Sequence, residues 1–301
     1  MTSNSYWEPR IPELPEVETV RRGLYKLLIG KIIRGVACLD SPKSFPNDPQ
    51  AVDAFVVGAT VTGVRRRAKV LLIDLSTNYS LLIHLKMTGQ LVFRGEQVFG
   101  AGHPNDSLVG ELPDRSTRVI LDFTDGTHLY FNDYRKFGWL KLYPTPEVPD
   151  IDFMQRVGPE PLEDRFTSKE FIPRIRKRNG TSIKAAILDQ TVLAGVGNIY
   201  ADESLWGAKI HPATRVKNVS NGQLIDLLQE IKFVMNLAIE KGGSTDRNYV
   251  NAEGKKGSYI DFARVFRQEG KACSRCGTTI EKTRVAGRGT HLCPTCQTLP
   301  S

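Results

Sequence analysis

The sequence predicts an α+β chain: a β-sandwich behind one leading helix, then a helical region, then a zinc ribbon. Three observations predict it. From about residue 31 to 143 the apolar residues alternate or gather in short runs, as strands require. After the proline-rich Tyr143-Pro-Thr-Pro-Glu-Val-Pro-Asp150 the periodicity turns helical. Near the end, four cysteines read Cys273-x2-Cys276-x16-Cys293-x2-Cys296, two knuckles able to present four thiolates tetrahedrally.

The elements follow in order. Residues 1–10 hold no apolar stretch, which excludes a secretory signal. Pro15 to Leu28 reads as an amphipathic helix. Val17, Val20, Leu24 and Leu27 share one face, Pro15 suits the first turn and Gly30 ends it. Cys38, in an apolar stretch, is expected as a small buried hydrophobe. Val70 to Leu75 and Tyr79 to Leu85 are strands around a polar turn. Arg118 to Phe123 and Thr127 to Phe131 flank Asp125-Gly126, a hairpin signal. The stretch 95–116, rich in Gly, Pro and Asp, is expected to be a long loop, and 143–150 a linker at the domain boundary. Helices are expected over Ser168 to Arg178, Ser182 to Leu188, Ile199 to Trp206 and Ser220 to Glu240. The last starts at a Ser cap and stops at Gly242-Gly243. Ser244 to Gly257 is polar and long enough for a mobile loop. No internal repeat is visible.

A chain of 301 residues, 40% hydrophobic and 25% charged, is long enough for two domains and too apolar for disorder. No window approaches the apolar length of a membrane span. The formal charge is +8 and uneven. Residues 1–150 hold 18 Lys+Arg against 17 Asp+Glu, and residues 151–301 hold 23 against 16. A basic half suits a polyanionic partner, although a merely soluble basic surface has the same composition. The cysteines discriminate better. Two CxxC pairs favour a metal over disulfides, and a closed four-thiolate site is structural because no position is left open for substrate.

Several blocks carry a resemblance. They are Pro12-Glu-Leu-Pro-Glu-Val-Glu-Thr19, Arg66-Arg-Ala-Lys69, His84-Leu-Lys-Met-Thr-Gly89, Asn132-Asp-Tyr-Arg-Lys-Phe-Gly138 and Gly158-Pro-Glu-Pro-Leu162. They continue with Ala194-Gly-Val-Gly-Asn-Ile-Tyr-Ala-Asp-Glu203, Tyr249-Val-Asn-Ala-Glu-Gly254 and Gly287-Arg-Gly-Thr-His-Leu-Cys-Pro-Thr-Cys-Gln297. In this order, from Pro12 almost to the end, the chain resembles the bacterial formamidopyrimidine-DNA glycosylase family. The resemblance implies a cytoplasmic, monomeric base-excision repair enzyme of bacteria, working at the nucleoid on double-stranded DNA. It would excise oxidised purines, 8-oxoguanine and formamidopyrimidines, and then nick the strand by β,δ-elimination. It also implies one structural Zn2+ on Cys273, Cys276, Cys293 and Cys296. The domains would be an extension over 1–11, a catalytic β-sandwich over 12–143 and a linker over 144–160. A helix–two-turns–helix domain with a lesion loop would follow over 161–257, and the zinc ribbon over 258–301.

Residue by residue, the resemblance makes Pro12 the amine nucleophile and Glu13 the proton donor for sugar-ring opening. Lys69 matches the general acid of β-elimination and Arg288 the residue assigned to δ-elimination. Because Arg is a poor proton donor, Arg288 is expected to act mainly on phosphate charge. Met87, Arg135 and Phe137 match a wedge that fills the gap left by a flipped base; by themselves Met87 and Phe137 would be read as core. Asn198 after Gly195-Val-Gly197 matches a backbone-contacting asparagine, and Lys184 a phosphate-binding lysine. Glu16 and Tyr249 match the base pocket and its loop.

The chain departs from the family pattern in three places. Eleven residues precede Pro12, and an internal proline is a tertiary amide without a nucleophilic lone pair, so a later start or trimming is expected. Ser116 stands where the family usually has His, with Arg115 and Arg118 as candidate replacements. Arg174-Ile-Arg-Lys-Arg178 does not align cleanly with the family's phosphate-binding lysines. Two rival readings remain at this point. One is a non-catalytic zinc-ribbon protein that binds damaged DNA. The other is an endonuclease VIII-like glycosylase for oxidised pyrimidines, against which Leu14 and Phe137 argue.

Overall fold

The computed structural model describes residues 12–102, 106–244 and 259–300. It forms two compact units, one built on residues 16–149 and the other on residues 13–15, 150–244 and 259–300.

In the first unit, helix α1 (Leu14–Leu28) leads to strand β1 (Ile33–Cys38), helix α2 (Pro49–Phe55) and strands β2 (Val61–Arg67), β3 (Val70–Leu75) and β4 (Tyr79–His84). Strands β5 (Gly89–Arg94), β6 (Val98–Gly102), β7 (Thr117–Phe123), β8 (His128–Asp133) and β9 (Trp139–Pro144) complete it. They make two antiparallel sheets, ordered β1-β7-β8-β5-β6 and β2-β3-β4-β9. Leu71, Ile73, Leu81 and Ile83 of one sheet share a single apolar cluster with Leu91, Phe93, Leu121 and Phe131 of the other. The two-residue period of β3 and β4 therefore points inward, as a sandwich requires. Val17, Val20, Leu24 and Leu28 of α1 enter the same cluster, which accounts for that helix's apolar face.

Two expectations change. The stretch 95–116 is not all loop, since β6 pairs along β5 from Arg94–Val98 to Gln90–Gly102. Its glycines, which suggested a turn, are there for close approach. A Cβ on Gly102 would lie 2.3 Å from the Gly89 carbonyl oxygen, at a φ of +122°. Cys38 is exposed rather than buried, because it is the last residue of β1, an edge strand. The proline-rich 143–150 does hold the boundary between the units, at Pro149–Asp150, and it is locally ordered. Thr145–Asp150 is a 3-10 helix, and Thr145 N donates to Asn78 O at 2.9 Å.

The second unit holds helices α3 (Asp152–Arg156), α4 (Ser168–Arg176), α5 (Ile183–Leu188), α6 (Asn198–Gly207) and α7 (Asn221–Glu240), then the hairpin of β10 (Glu281–Val285) and β11 (Arg288–Leu292). A capping box starts α7: Ser220 Oγ accepts from Gln223 N at 3.2 Å, and Gln223 Oε1 accepts from Ser220 N at 2.9 Å. Helix α6 is buried from Ile199 to Trp206. Its Glu203 accepts from the backbone N–H of Arg264, Val265 and Phe266 at 2.8–2.9 Å, fixing the chain as it enters the ribbon. The guanidinium groups of Arg275 and Arg264 lie 3.8 and 4.8 Å from the Trp206 ring centre. Trp206 packs with Val265, Cys273, Ile280 and Cys293. Among the described residues, no helix is long and apolar enough to cross a membrane.

Candidate functional site

In the first unit, polar side chains gather where the sandwich loops meet. The β2–β3 turn carries half-buried Lys69 after Ala68, whose φ is +53°. Arg66 holds this turn, its Nε donating to Glu18 Oε2 at 3.1 Å and its Nη1 to Ala68 O at 2.9 Å. Burial alone would raise the Glu18 carboxyl, but hydrogen bonds from Arg21 and Arg22 and the charges of Arg21 and Arg66 hold it below the usual range. His84 ends β4, buried, with its pKa pushed down to about 3 by desolvation and by the charges of Lys86 and Lys69. The neutral ring accepts the Lys86 N–H at Nδ1, 3.0 Å away.

Two further loops bring Met87, Arg135 and Phe137 together. Arg135 Nη1 stands 3.5 Å from Met87 Sδ, and its guanidinium lies 4.8 Å from the Phe137 ring centre. Phe137 is 52% exposed, so it is not a core residue. An exposed phenylalanine stacked on a cation, beside a methionine, can enter a base stack.

The second unit gathers another group around the start of α6. Glu13 is buried, and its Oε1 accepts from Ile199 N at 3.1 Å. This is possible because residue 197 is glycine: a Cβ there would sit 2.1 Å from Glu13 Cδ. Asn198 Nδ2 donates to Gly289 O at 3.0 Å. Lys184 is wholly buried, in an ion pair with Asp202 at 2.6 Å, and donates to Gly289 O and Thr290 Oγ1 at 2.9 and 2.7 Å. Burial pulls its pKa below that of an ordinary lysine, while the charges of Asp202 and Glu13 oppose the shift. These bonds seat the tight turn Ala286-Gly287, both at positive φ, from which Arg288 projects into solvent.

At the base of that hairpin the four cysteine sulfurs lie within 4.8 Å of one another, with Cys273–Cys296 at 3.9 Å and Cys276–Cys293 at 3.4 Å. Tetrahedral Zn–S bonds of about 2.3 Å put sulfurs roughly 3.8 Å apart, so the cluster fits the ion. Backbone N–H groups of Arg275 and Cys296 point at Cys273 and Cys293 sulfurs, each at 3.4 Å, as negative thiolates favour. The four cysteines are positioned to coordinate one structural Zn2+.

Three family models match the chain in succession. The formamidopyrimidine-DNA glycosylase N-terminal domain matches residues 11–140, and the H2TH domain of the same enzyme matches residues 157–249. The zinc finger found in FPG and IleRS matches residues 270–299. The chain belongs to the formamidopyrimidine-DNA glycosylase family. It is 41% identical over 288 residues to the formamidopyrimidine-DNA glycosylase of Herpetosiphon aurantiacus, covering 95% of this chain and all of that one. The Geobacillus kaustophilus glycosylase matches to the same identity and extent. Among solved structures, wild-type Lactococcus lactis Fpg with an N7-benzyl-Fapy-dG containing DNA superposes with a TM-score of 0.83 at 34% identity, covering 95% of this chain and 100% of that chain. The same enzyme with an abasic site containing DNA gives 0.83 at 33%, covering 95% and 99%.

Within this glycosylase fold, the first unit brings together Met87, Arg135 and Phe137, and the second brings together Glu13, Lys184, Asn198 and Arg288. Pro12 is buried and precedes Glu13 in the chain; Glu16 is half-buried in the first turn of α1. Tyr249 and residues 1–11 lie outside the described residues. Lys184 does not offer its ammonium to solvent, unlike a surface phosphate ligand. Ser116 is buried and bonded through N and Oγ to Asp114 at 2.7 and 2.6 Å. Arg118 does not replace the missing His: it is buried, with Nε on Asp133 O at 2.9 Å and Nη2 on Arg115 O at 2.9 Å. Arg115 remains exposed, 5.5 Å from the Tyr134 ring centre. Arg176 and Arg178, in the basic run, bond Val216 O, Val219 O and Asp189.

Asp202 and Asp133 were not foreseen. Asp202 left a signal, standing next to Glu203 among the apolar Ile199, Tyr200, Ala201, Leu205 and Trp206; Asp133 left none beyond its place in Asn132-Asp-Tyr-Arg135.

Proposed function

We propose that this chain is a base-excision repair enzyme that removes oxidised purines from double-stranded DNA and then cuts the strand at the resulting abasic site. What carries the reading is family membership along nearly the whole chain, with 100% of a curated glycosylase covered. Its workplace is the bacterial cytoplasm, on the nucleoid.

The chemistry starts at Pro12, as a free secondary amine. Its nitrogen lone pair bonds the sugar C1′, the C1′–N bond to the damaged base breaks with its electrons leaving on the base, and the base takes up the proton that the amine gives up. Glu13 supplies the proton that O4′ takes as the ring opens, giving an iminium between proline and C1′. That cation acidifies the C2′ proton. Its removal expels the 3′ oxygen, with Lys69 as the acid, and a second elimination expels the 5′ oxygen beside Arg288. Meanwhile Met87, Arg135 and Phe137 occupy the space left in the duplex. Asn198, and the hairpin that Lys184 seats, hold the backbone. Glu16 and Tyr249 serve the base pocket. The zinc supplies no chemistry; it keeps the Arg288 hairpin folded.

The Ile11–Pro12 bond favours a second reading, since an acylated proline has no amine to give. Both are tested by mixing the natural protein with an 8-oxoguanine:cytosine duplex and borohydride. A covalent adduct mapped to Pro12, with intact mass showing Pro12 first, is the expected result. Tight binding with intact DNA and residues 1–11 retained would establish the non-catalytic reader. A thymine-glycol duplex cut faster than 8-oxoguanine would move the enzyme to the pyrimidine branch.

A further inference from the structure

The wedge residues lie on two loops far apart in sequence. Met87 is in the connection from β4 to β5, and Arg135 and Phe137 are in the connection from β8 to β9. One side chain reaches both. Asp133, the last residue of β8, is wholly buried. Its Oδ1 accepts from Thr88 Oγ1, the neighbour of Met87, and from Arg135 N at 3.2 Å. Its Oδ2 accepts from Gly138 N at 2.5 Å, the residue after Phe137. Thr88 Oγ1 closes the circuit by accepting from Arg135 N at 3.1 Å. The backbone of Asp133 is pinned as well, its N donating to Ser116 O at 2.8 Å and its O accepting from Arg118 Nε at 2.9 Å.

Both carboxylate oxygens are thus spent on holding the two loops, and neither is presented to solvent. We infer that Asp133 is a positioning residue for base extrusion: it locks the Met87 loop to the Arg135–Phe137 loop so that the three side chains are presented as one preformed wedge. The inference rests on the wedge reading given above. A preformed wedge meets its ordering cost during folding and not during the encounter with DNA. The carboxylate touches no substrate, so its effect is confined to the step in which a stacked base must leave.

The experiment compares two substrates under single-turnover conditions. One is a duplex with 8-oxoguanine, which has a base to extrude; the other carries a preformed abasic site, which has none. Asp133→Asn keeps the shape, but in either orientation its amide turns a donor toward the N–H of Gly138 or of Arg135. Thr88→Val removes the hydroxyl link and leaves the carboxylate. The expected result is a loss of about 10–100-fold in 8-oxoguanine excision for Asp133→Asn, because a misplacement near 1 Å costs up to about 10²-fold. Thr88→Val loses less, and abasic-site cleavage by both stays within about threefold. A 2-aminopurine beside the lesion should brighten more slowly in both variants. The inference is overturned if excision is unchanged while Met87→Ala and Phe137→Ala impair it, or if both substrates slow equally along with a lowered melting temperature. If Met87→Ala and Phe137→Ala themselves leave excision intact, the wedge reading falls first, and this inference with it.

Discussion

Glu13 occupies space at the start of α6 that exists only while residue 197 has no side chain. Gly197→Ala would place a methyl 2.1 Å from Glu13 Cδ, so the carboxylate must leave its hydrogen bond to Ile199. Base excision should fall by about 10²–10⁴-fold, the range for losing a positioned proton donor, while the circular dichroism spectrum is retained. An alanine variant with full activity would show that Glu13 does not work from this position. His84 gives a second test. Its folded-state pKa of about 3 lies below the ordinary 6.5, so as pH falls the unfolded chain takes up the proton first. This group therefore contributes no pH dependence above about pH 7 and costs stability as pH drops from 6.5 toward 3. The slope approaches 1.4 kcal/mol per pH unit, roughly one proton. Urea denaturation of His84→Gln, whose amide oxygen can still accept the Lys86 N–H, should show a shallower loss between pH 7 and 5. Equal slopes would mean that the ring is not held neutral.

Elements with a clean period were legible in advance. Helix α1 and strands β3 and β4 follow from apolar spacing alone, and α7 from its Ser cap and glycine stop. Strand β6 was not, because Gly100 and Gly102 signal a turn locally and a close strand contact only in three dimensions. The site divided in the same way. The cysteines and the Gly195-Val-Gly197 turn are local patterns, whereas the burial of Lys184, Asp202, Arg118 and Asp133 depends on partners more than ten residues distant. The α5–α6–β11 junction shows what such burial implies. With Lys184 and Asp202 both fully buried, Lys184→Met takes the lysine cation from a carboxylate that then keeps, among the described residues, only its contacts with the His291 N–H and ring. That should destabilise the protein by about 3–5 kcal/mol. The double variant Lys184→Met, Asp202→Leu should recover much of this loss, because burying two apolar groups avoids the uncompensated charge. Denaturation midpoints of the four proteins in this cycle measure the coupling, and additive losses would contradict a buried pair.

At the scale of the whole chain the uneven charge has a structural counterpart. The near-neutral first half builds the sandwich and the loops that carry Met87, Arg135 and Phe137; the basic second half supplies the helices and the hairpin with the four cysteines. Removing Zn2+ by chelation, or breaking its site with Cys276→Ser, should release the ribbon together with Arg288. Binding to an abasic-site duplex should then weaken at least roughly tenfold, because the cations of the ribbon no longer neutralise phosphates. Metal analysis should return one zinc per chain. Unchanged binding after complete zinc loss would remove the ribbon from the DNA-gripping surface.

The setting of Trp206 offers an optical consequence. The residue is 5% exposed and two guanidinium groups contact its ring, one of them from Arg275, which sits between two metal-binding cysteines in the chain. Departure of the ribbon would wet the ring and strip it of a cation at once. In a Trp7→Phe, Trp139→Phe background, the emission should move to longer wavelength as zinc is withdrawn and return when it is restored. A single fluorophore already present in the chain would then report hairpin docking in real time, with no dye and no DNA in the cuvette.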